Sequence, residues 1–215
     1  METVVELSGV VAVLSNFPAL AGIDLVVHRG EIVLLHGPNG AGKTSVLRVC
    51  AGLLPIERGE GSVMGVNLRT HRESVREQVG LLGHSNGLYL ELTVTQNVSF
   101  WASTVGATAQ EVALAMQRMK IDGRLAHVKA SQLSAGQRRR CALASLIVRR
   151  ASLWLLDEPH AGLDTAGQDE LDAILQSAVS SGATVVLASH ETQRSRLLAT
   201  RVVKVDGGLI SGSES

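Results

Sequence analysis

The segment from Gly37 to Thr44 satisfies every fixed position of the phosphate-binding pattern G-x-x-x-x-G-K-[ST]. A strand-like run, residues 32–35, precedes it and a helical pattern follows, which is the order such a loop requires. Glycines let the backbone wrap around phosphate oxygens, and the N-terminus of the next helix favours negative charge. The alternative is a glycine-rich turn without a ligand. The pattern predicts a nucleotide-phosphate site made of Gly37, Pro38, Asn39, Gly40, Ala41, Gly42, Lys43 and Thr44.

Two acids, Asp157 and Glu158, follow a second apolar run, residues 152–156. A strand that delivers Asp157 beside the phosphate loop can hold Mg²⁺ through its water shell, while the Thr44 hydroxyl ligates the same ion. Glu158 projects differently and is placed to polarise an attacking water as a general base. The alternative is a pair of acids that end a strand at the surface. Together with Lys43, whose charge suits the β- and γ-phosphates, the acids predict nucleotide hydrolysis.

The order of the remaining segments predicts an α/β fold with a mainly parallel core sheet, because strand-like runs alternate with helical patterns. The predicted strands are residues 10–14, 31–36, 152–156, 184–188 and 201–205. The predicted helices are residues 43–52, 109–121, 137–149 and 168–180. Residues 87–135 have helical patterning without a core strand, so we expect one domain, 1–215. Its nucleotide-binding core is 1–86 with 136–215, and 87–135 is an inserted helical subdomain. The polar end, residues 211–215, is expected to fray.

Composition excludes several classes of protein. The 215 residues carry 20 basic and 20 acidic side chains, and this balance argues against a nucleic-acid clamp. We expect the arginines at 138–140 and 149–150 to lie on a solvent or interface face of one helical stretch. Two cysteines are too few for a secreted disulfide framework. With no signal-peptide pattern and no apolar run long enough to span a bilayer, we expect a soluble intracellular chain whose membrane part another chain supplies.

The segment Leu133-Ser134-Ala135-Gly136-Gln137 opens a predicted helix between the phosphate loop and the two acids. With these elements in this order, the chain resembles the ATPase subunits of ABC transporters over essentially its whole length. The resemblance implies that Ser134, Gly136 and Gln137 face the γ-phosphate of ATP on a second ATPase subunit. Two chains, as a homodimer or a pair of ATPase subunits, then enclose two nucleotides. A Ser before a helix is also a common N-cap, which is the alternative.

The resemblance also implies roles for residues outside these patterns. Ser45 joins the ATP-binding residues, and Asp164 belongs to a loop that lies along the dimer seam. His190, 32 residues beyond Glu158, resembles the histidine that contacts the γ-phosphate and orients the general base. The implied fold is the P-loop ABC ATPase, with N-terminal antiparallel strands and an inserted helical subdomain, and the implied cofactors are ATP and Mg²⁺.

Two positions depart from the family pattern. His84 stands nine residues before Thr93, where the family usually has the Gln that ligates Mg²⁺. A neutral imidazole can accept a hydrogen bond from a metal-bound water, so a contact of His84 with Mg²⁺ through water is expected. Phe17 is the candidate for stacking on adenine, and it lies closer to Leu20 than the pattern expects. A preference for ATP over GTP is therefore left open.

The segment around His84 narrows the resemblance. Gly83-His84-Ser85-Asn86-Gly87-Leu88, together with residues 91–94, Asn97, Phe100 and Trp101, resembles the haem-exporter ATPases of cytochrome c maturation. That resemblance implies a peripheral location on the cytoplasmic face of the inner or plasma membrane, integral membrane transporter subunits as partners, and haem export or release from a haem chaperone. The seven histidines are scattered, so no direct haem ligation is expected.

Three alternatives stay open at this stage. The first is the ATPase of another small ABC exporter. The second is a soluble assembly or regulatory ABC ATPase without a membrane partner. The third is a nucleotide-binding scaffold without turnover, which the presence of both Glu158 and His190 disfavours.

Overall fold

The computed structural model describes residues 2–15, 17–190 and 192–214. Within this described part the chain forms ten strands and six α-helices. The strands are β1 (Thr3–Leu14), β2 (Phe17–His28), β3 (Ile32–His36), β4 (Arg58–Val63), β5 (Val66–Asn67), β6 (Val79–Leu82), β7 (Leu153–Asp157), β8 (Thr184–Ala188), β9 (Arg201–Asp206) and β10 (Leu209–Glu214). The helices are α1 (Lys43–Cys50), α2 (Val94–Thr104), α3 (Ala109–Arg118), α4 (Ala135–Arg149), α5 (Thr165–Ser180) and α6 (Thr192–Leu198).

The main sheet has the strand order β10-β9-β3-β8-β7-β6. Strand β3 pairs in parallel with β8 and β9, and β7 pairs in parallel with β8. Every residue of β7 and β8 is buried, as expected for parallel strands covered on both faces. The α/β fold with a mainly parallel sheet is therefore confirmed.

A second sheet is antiparallel, with the order β2-β1-β4-β5. From the sequence only residues 10–14 of this sheet were predicted as a strand. The register of β1 against β2 shifts between Leu7 and Val10 and again at Val11, so the inward-facing residues do not keep a strict period of two. Irregular alternation of this kind hides a strand from sequence patterns.

The C-terminal prediction needs correction. Residues 211–214 were expected to fray, but they belong to β10, which pairs antiparallel with β9. Backbone hydrogen bonds hold this polar segment, and its side chains are exposed. Ser215, the last residue of the predicted tail, lies outside the described residues.

The chain divides into two compact units. The first consists of Met1–Leu81, Ser152–Pro159 and Gln176–Ser215. In it, α1 contacts both β7 and β8 of the main sheet and β1 and β2 of the antiparallel sheet. One apolar core joins these layers, and it includes Val5, Leu35, Val46, Leu155 and Val186.

The second unit consists of Leu82–Ala151 and His160–Leu175. Helices α2 and α3 begin at capping boxes formed by Thr93 with Gln96 and by Thr108 with Glu111, and both pack on α4. The predicted subdomain, residues 87–135, lies within this unit. The division of the chain at these two residues stays a prediction. Among the described residues, no helix is both long and apolar enough to cross a bilayer.

Candidate functional site

The phosphate loop runs from the end of β3 into the first turn of α1. Gly42 precedes the helix with a left-handed φ of 107°, and no side chain caps the helix. The first N–H groups of a helix have no acceptor within it, so at α1 they stay available to an anion. The first turn also carries no acidic side chain. This end of α1 therefore suits a phosphate group.

The end of the phosphate loop around Lys43 is buried, whereas the tip of the loop is exposed. Lys43 is buried, and its ammonium donates to the carbonyls of Gly37, at 2.7 Å, and Pro38, at 2.9 Å. Ser45 and Ala41 are also buried, whereas Pro38, Asn39 and Gly40 are exposed. An ammonium has three N–H donors, so one donor remains for a phosphate oxygen after the loop has used two.

Thr44 and Asp157 meet although 113 residues separate them in the chain. The Thr44 hydroxyl donates to Asp157 Oδ2 at 2.9 Å, and Asp157 is only 8% exposed at the end of β7. A hydroxyl and a carboxylate are the hard oxygen ligands that Mg²⁺ prefers. The donor set and its position beside the phosphate loop fit a Mg²⁺ ion that also binds nucleotide phosphates.

Glu158 and His190 form a second pair in the first unit. Glu158 Oε1 lies 2.8 Å from His190 Nδ1 and also accepts the backbone N–H of His190 at 2.9 Å. The other carboxylate oxygen accepts the Ser189 hydroxyl at 3.2 Å. Glu158 has a left-handed φ of 47°, which is uncommon for a residue with a side chain and recurs at functional sites. The structure therefore holds the predicted general base in a fixed orientation.

The segment Ser134–Gln137 forms the beginning of α4. The Ser134 hydroxyl accepts the N–H of Gln137 at 3.2 Å, and the Gln137 side chain accepts the N–H of Ser134 at 2.9 Å. The alternative, a capped helix, is therefore a real feature of this segment, and the functional interpretation stays a prediction. Ser134 is exposed, and Gly136 lies in the first turn, where N–H groups lack intrahelical acceptors.

Asp164 caps the N-terminus of α5. Its Oδ1 accepts the N–H of Gly167 at 3.0 Å and also pairs with the guanidinium of Arg140 on α4. The Gly167 N–H, together with the positive charge of Arg140, lowers the pKa of Asp164 from its ordinary value. Asp164 is therefore ionised and tied to α4.

The prediction made for the arginines at 138–140 needs correction. We expected a solvent or interface face, but Arg139 is only 4% exposed. Its guanidinium donates to the Gly83 carbonyl at 3.0 Å and to Asn86 Oδ1 at 2.9 Å, and so fixes the turn that carries His84. Arg138 donates to the carbonyls of Ala130 and Ser131, both at 3.1 Å. These two arginines therefore stabilise neighbouring loops within the second unit.

The two residues that depart from the family pattern are both accessible. His84 is exposed in the turn after β6, and Phe17 is 76% exposed at the beginning of β2. Phe17 belongs to the first unit and His84 to the second. Their roles stay predictions. Among the described residues, no cluster of three His, Cys, Asp or Glu side chains could hold a metal ion.

Three residues that contact the candidate site or the segments around it were not predicted from the sequence. Ser189 contacts the general base, and the only available signal was its place directly before His190 at a strand end. Arg139 and Arg140 contact the His84 turn and Asp164, and an arginine run beside a signature segment does not by itself indicate burial. Their partners are 56 and 24 residues away, so local periodicity could not identify them.

Comparison with known proteins agrees with this geometry. The sequence model of the family described as "ABC transporter" matches residues 20–161. The cytochrome c biogenesis ATP-binding export protein CcmA of Nitrobacter winogradskyi is 39% identical over 79% of this chain and 83% of its own length. The protein of the same name from Vibrio cholerae is 35% identical over 86% of this chain and 90% of its own length.

A solved structure supports the fold. It is an ATP-binding cassette in a dimeric, post-hydrolysis state bound to ADP and Pi. The TM-score is 0.90, and 98% of each chain is covered. Sequence identity is only 22%, so this similarity concerns the fold alone.

Proposed function

Because the chain belongs to the ABC transporter family and is an ATPase of that type, we propose that it hydrolyses ATP for an exporter in cytochrome c biogenesis. One observation carries the proposal: relatives with 35–39% identity across most of their length are named cytochrome c biogenesis ATP-binding export proteins. The paired side chains of the first unit supply the chemistry that such an ATPase needs.

Lys43, Thr44 and Asp157 hold the nucleotide in this proposal. Lys43 contributes its remaining N–H to a β- or γ-phosphate oxygen, and the uncapped N-terminus of α1 binds the phosphates beside it. Thr44 would ligate Mg²⁺, and Asp157 would hold it through water. When bound, Mg²⁺ offsets the negative charge that develops on the phosphates. Phe17, exposed at the beginning of β2, is available to stack on adenine.

Glu158 is the general base of the proposed reaction. Its carboxylate takes a proton from the attacking water as the water oxygen bonds to the γ-phosphorus. The bond between that phosphorus and the bridging oxygen breaks, and ADP leaves with the bridging oxygen on the opposite side. His190 holds Oε1 of Glu158 through two contacts, and Ser189 holds Oε2. A carboxylate held by three such contacts loses little orientational freedom when the water binds, so it is ready for proton transfer.

Two copies of the chain form the working unit. Ser134 and the N–H of Gly136 bind the γ-phosphate held by the other copy, and Gln137 supports Ser134 through the capping box. ATP then contacts both copies and favours the closed dimer. Hydrolysis removes the γ-phosphate contacts, and the dimer opens.

The membrane partner docks on the aromatic surface, which we define as Tyr89, Leu90, Phe100 and Trp101 of the second unit. Tyr89, Leu90 and Phe100 are each 41–51% exposed, and the rings of Tyr89 and Phe100 stack edge to face at 5.0 Å. Arg149 lies 4.6 Å from the centre of the Trp101 ring. Exposed apolar side chains beside a cation suit an apolar segment that carries an acidic or carbonyl group. The chain is therefore peripheral, on the cytoplasmic face of the membrane.

The turn that carries His84 belongs to the segment on which the resemblance to haem-exporter ATPases rests. Arg139 fixes the turn that carries His84, and the same unit bears the aromatic surface. We assign His84 to a water-mediated contact with Mg²⁺ in place of the family's usual Gln. The resemblance to haem-exporter ATPases makes haem, or a haem-chaperone adduct, the proposed cargo of the membrane partner.

The experiment that tests this function uses the Glu158→Gln chain, which is expected to bind ATP and stay closed. The tagged variant and ATP are added to solubilised membranes of the native host, and co-purifying proteins are identified by mass spectrometry. Lys43→Ala, which should not close, is the matched control. A multi-span protein of cytochrome c assembly on the ATP-bound variant alone supports the proposal.

Other outcomes of the capture separate the alternatives. A different permease keeps the exporter ATPase and rejects the role in cytochrome c biogenesis. A folded, ATP-binding variant that captures no membrane protein favours a soluble assembly or regulatory ATPase.

A further inference from the structure

The guanidinium of Arg140 joins two segments of the second unit. It donates to the carbonyl of Met119, the residue that ends α3, at 3.1 Å, and it pairs with Oδ1 of Asp164. The Arg140 side chain is only 12% exposed, so water screens this charge pair less than it screens a surface ion pair. The contact therefore restrains the Asp164 side chain.

Asp164 is held firmly and is nevertheless accessible. The N–H of Gly167 and the guanidinium of Arg140 both bind Oδ1, yet the side chain is 70% exposed. An exposed acid normally samples several rotamers, and ordering it costs conformational entropy. A carboxylate that is fixed in advance and still faces solvent is suited to contact a second molecule.

The guanidinium of Arg140 lies close to the backbone of Gly167. A Cβ on Gly167 would lie 2.7 Å from Nη2 of Arg140, although Gly167 belongs to helix α5 and has an ordinary φ. Glycine in a helix costs about 1 kcal/mol relative to alanine. The close approach of the guanidinium gives this position a reason to be glycine.

The loop before Asp164 also lies against the beginning of α4. A Cβ on Gly136 would lie 2.6 Å from the carbonyl oxygen of Gly162. Two consecutive contacts, at Gly136 and at Arg140, therefore join the Ala161–Asp164 loop to the first two turns of α4. The residues that we assign to the second copy's nucleotide and those of the loop form one continuous surface of the second unit.

We propose that Arg140 is a positioning residue that holds Asp164 and its loop against α4, so that both segments meet a second copy of the chain as one preformed surface. The proposal rests on the ATP-driven dimer of the proposed function. Arg140 acts through Asp164 and touches no nucleotide of its own copy. Its loss should therefore weaken association of the two copies and leave the ATP affinity of a single copy unchanged.

The test is made in the Glu158→Gln chain, in which ATP drives dimerisation without turnover. Arg140→Met keeps most of the apolar stem and removes the guanidinium, and Asp164→Asn keeps an oxygen for the Gly167 N–H and removes the charge. Sedimentation gives the dimer dissociation constant with ATP, and calorimetry at low protein concentration gives the ATP affinity of the monomer. We expect each variant to raise the dimer constant about tenfold or more and to change ATP affinity less than about twofold.

Coupling and rescue separate positioning from a general structural effect. The double variant should be little worse than either single variant, because both remove the same pair. Arg140→Lys should recover part of the affinity between copies. Arg124→Met, at an exposed arginine of the same unit outside α4, is the control and should leave the dimer constant unchanged.

Several results would overturn the proposal that Arg140 positions Asp164. Parent-like dimerisation of Arg140→Met or of Asp164→Asn overturns the proposal, as does additivity of the two. If Arg140→Met fails to fold, Asp164→Asn alone decides. If the Glu158→Gln parent itself does not dimerise with ATP, the dimer of the proposed function fails and this inference fails with it.

Discussion

His190 holds Glu158 through both its side chain and its backbone: Nδ1 lies 2.8 Å from Oε1, and the backbone N–H donates to the same oxygen at 2.9 Å. Glu158 directly follows β7 and His190 lies just beyond β8, two adjacent parallel strands. The carboxyl ends of parallel strands meet at one edge of a sheet, so residues 32 positions apart become neighbours. The pairing follows from the sheet and not from local sequence.

Glu158→Gln should lower ATP turnover by about 10²-fold or more, because an amide cannot accept the proton of the attacking water. ATP binding should persist, since the phosphate loop and the Thr44–Asp157 pair are unchanged. Steady-state phosphate release and equilibrium ATP binding give the two numbers. Glu57→Gln, an exposed acid of the same unit, is the control. Near-normal turnover of Glu158→Gln would remove Glu158 as the base.

Lys43→Ala should weaken ATP binding about tenfold or more, because a charge-assisted hydrogen bond to a phosphate is lost. The carbonyls of Gly37 and Pro38 also lose their donor, so the loop should become less ordered. Titration with ATP measures the effect, and exposed Lys204→Ala in the same unit is the matched control. Equal affinity of Lys43→Ala and the parent would contradict a phosphate role for this lysine.

The sequence predicted the parts of the site whose residues lie close together in the chain. The phosphate loop, Asp157 with Glu158 and the segment Ser134–Gln137 each have fixed local spacing, and the structure forms each one beside the expected strand or helix. Strands β7 and β8 were predicted equally well, because they are short, apolar and fully buried.

The features that were not predicted from the sequence depend on contacts between residues that lie far apart in the chain. Arg139 is buried because the Gly83 carbonyl and Asn86 lie against α4, and nothing in an arginine run shows such partners. Residues 211–214 of β10 are polar and exposed, and their pairing with β9 makes them part of a strand. Helix α2 mixes polar and apolar residues over 11 positions, so it was recognised only as helical patterning.

Both cysteines should resist thiol reagents in the folded protein. Burial raises the pKa of Cys50 and of Cys141 from the ordinary 9.0 to about 12. The thiolate fraction at pH 8 is then about 10⁻⁴, and the reactive form is nearly absent. Folding keeps these thiols protonated, so their contribution to stability is complete below about pH 9 and is lost as pH rises towards 12.

Labelling with a disulfide reagent at pH 8 measures this directly. The denatured chain should react at two thiols within minutes, and the folded chain only as fast as it opens. Cys141→Ala, which leaves Cys50 alone, should give one thiol on denaturation and none when folded. Rapid labelling of the folded protein would contradict the burial of the thiols.

Replacing the aromatic surface should separate ATP hydrolysis from binding of the membrane partner. Tyr89→Ser with Phe100→Ser removes two exposed rings that stack on each other, so an apolar partner loses its main contact area. The basal ATPase of the isolated chain should stay within about twofold, because the phosphate loop, Asp157, Glu158 and Ser134 all lie outside the aromatic surface. Capture of the membrane partner by the Glu158→Gln chain should fall about tenfold or more.

Leu114→Ser is the matched control, because Leu114 is 52% exposed in the same unit but lies on α3, outside the aromatic surface. It should leave both capture and hydrolysis unchanged. Equal capture by the Tyr89→Ser, Phe100→Ser chain and its parent would place the partner elsewhere. An equal loss in the Leu114 variant would indicate general destabilisation of the helical unit, and thermal unfolding of all three chains distinguishes that case.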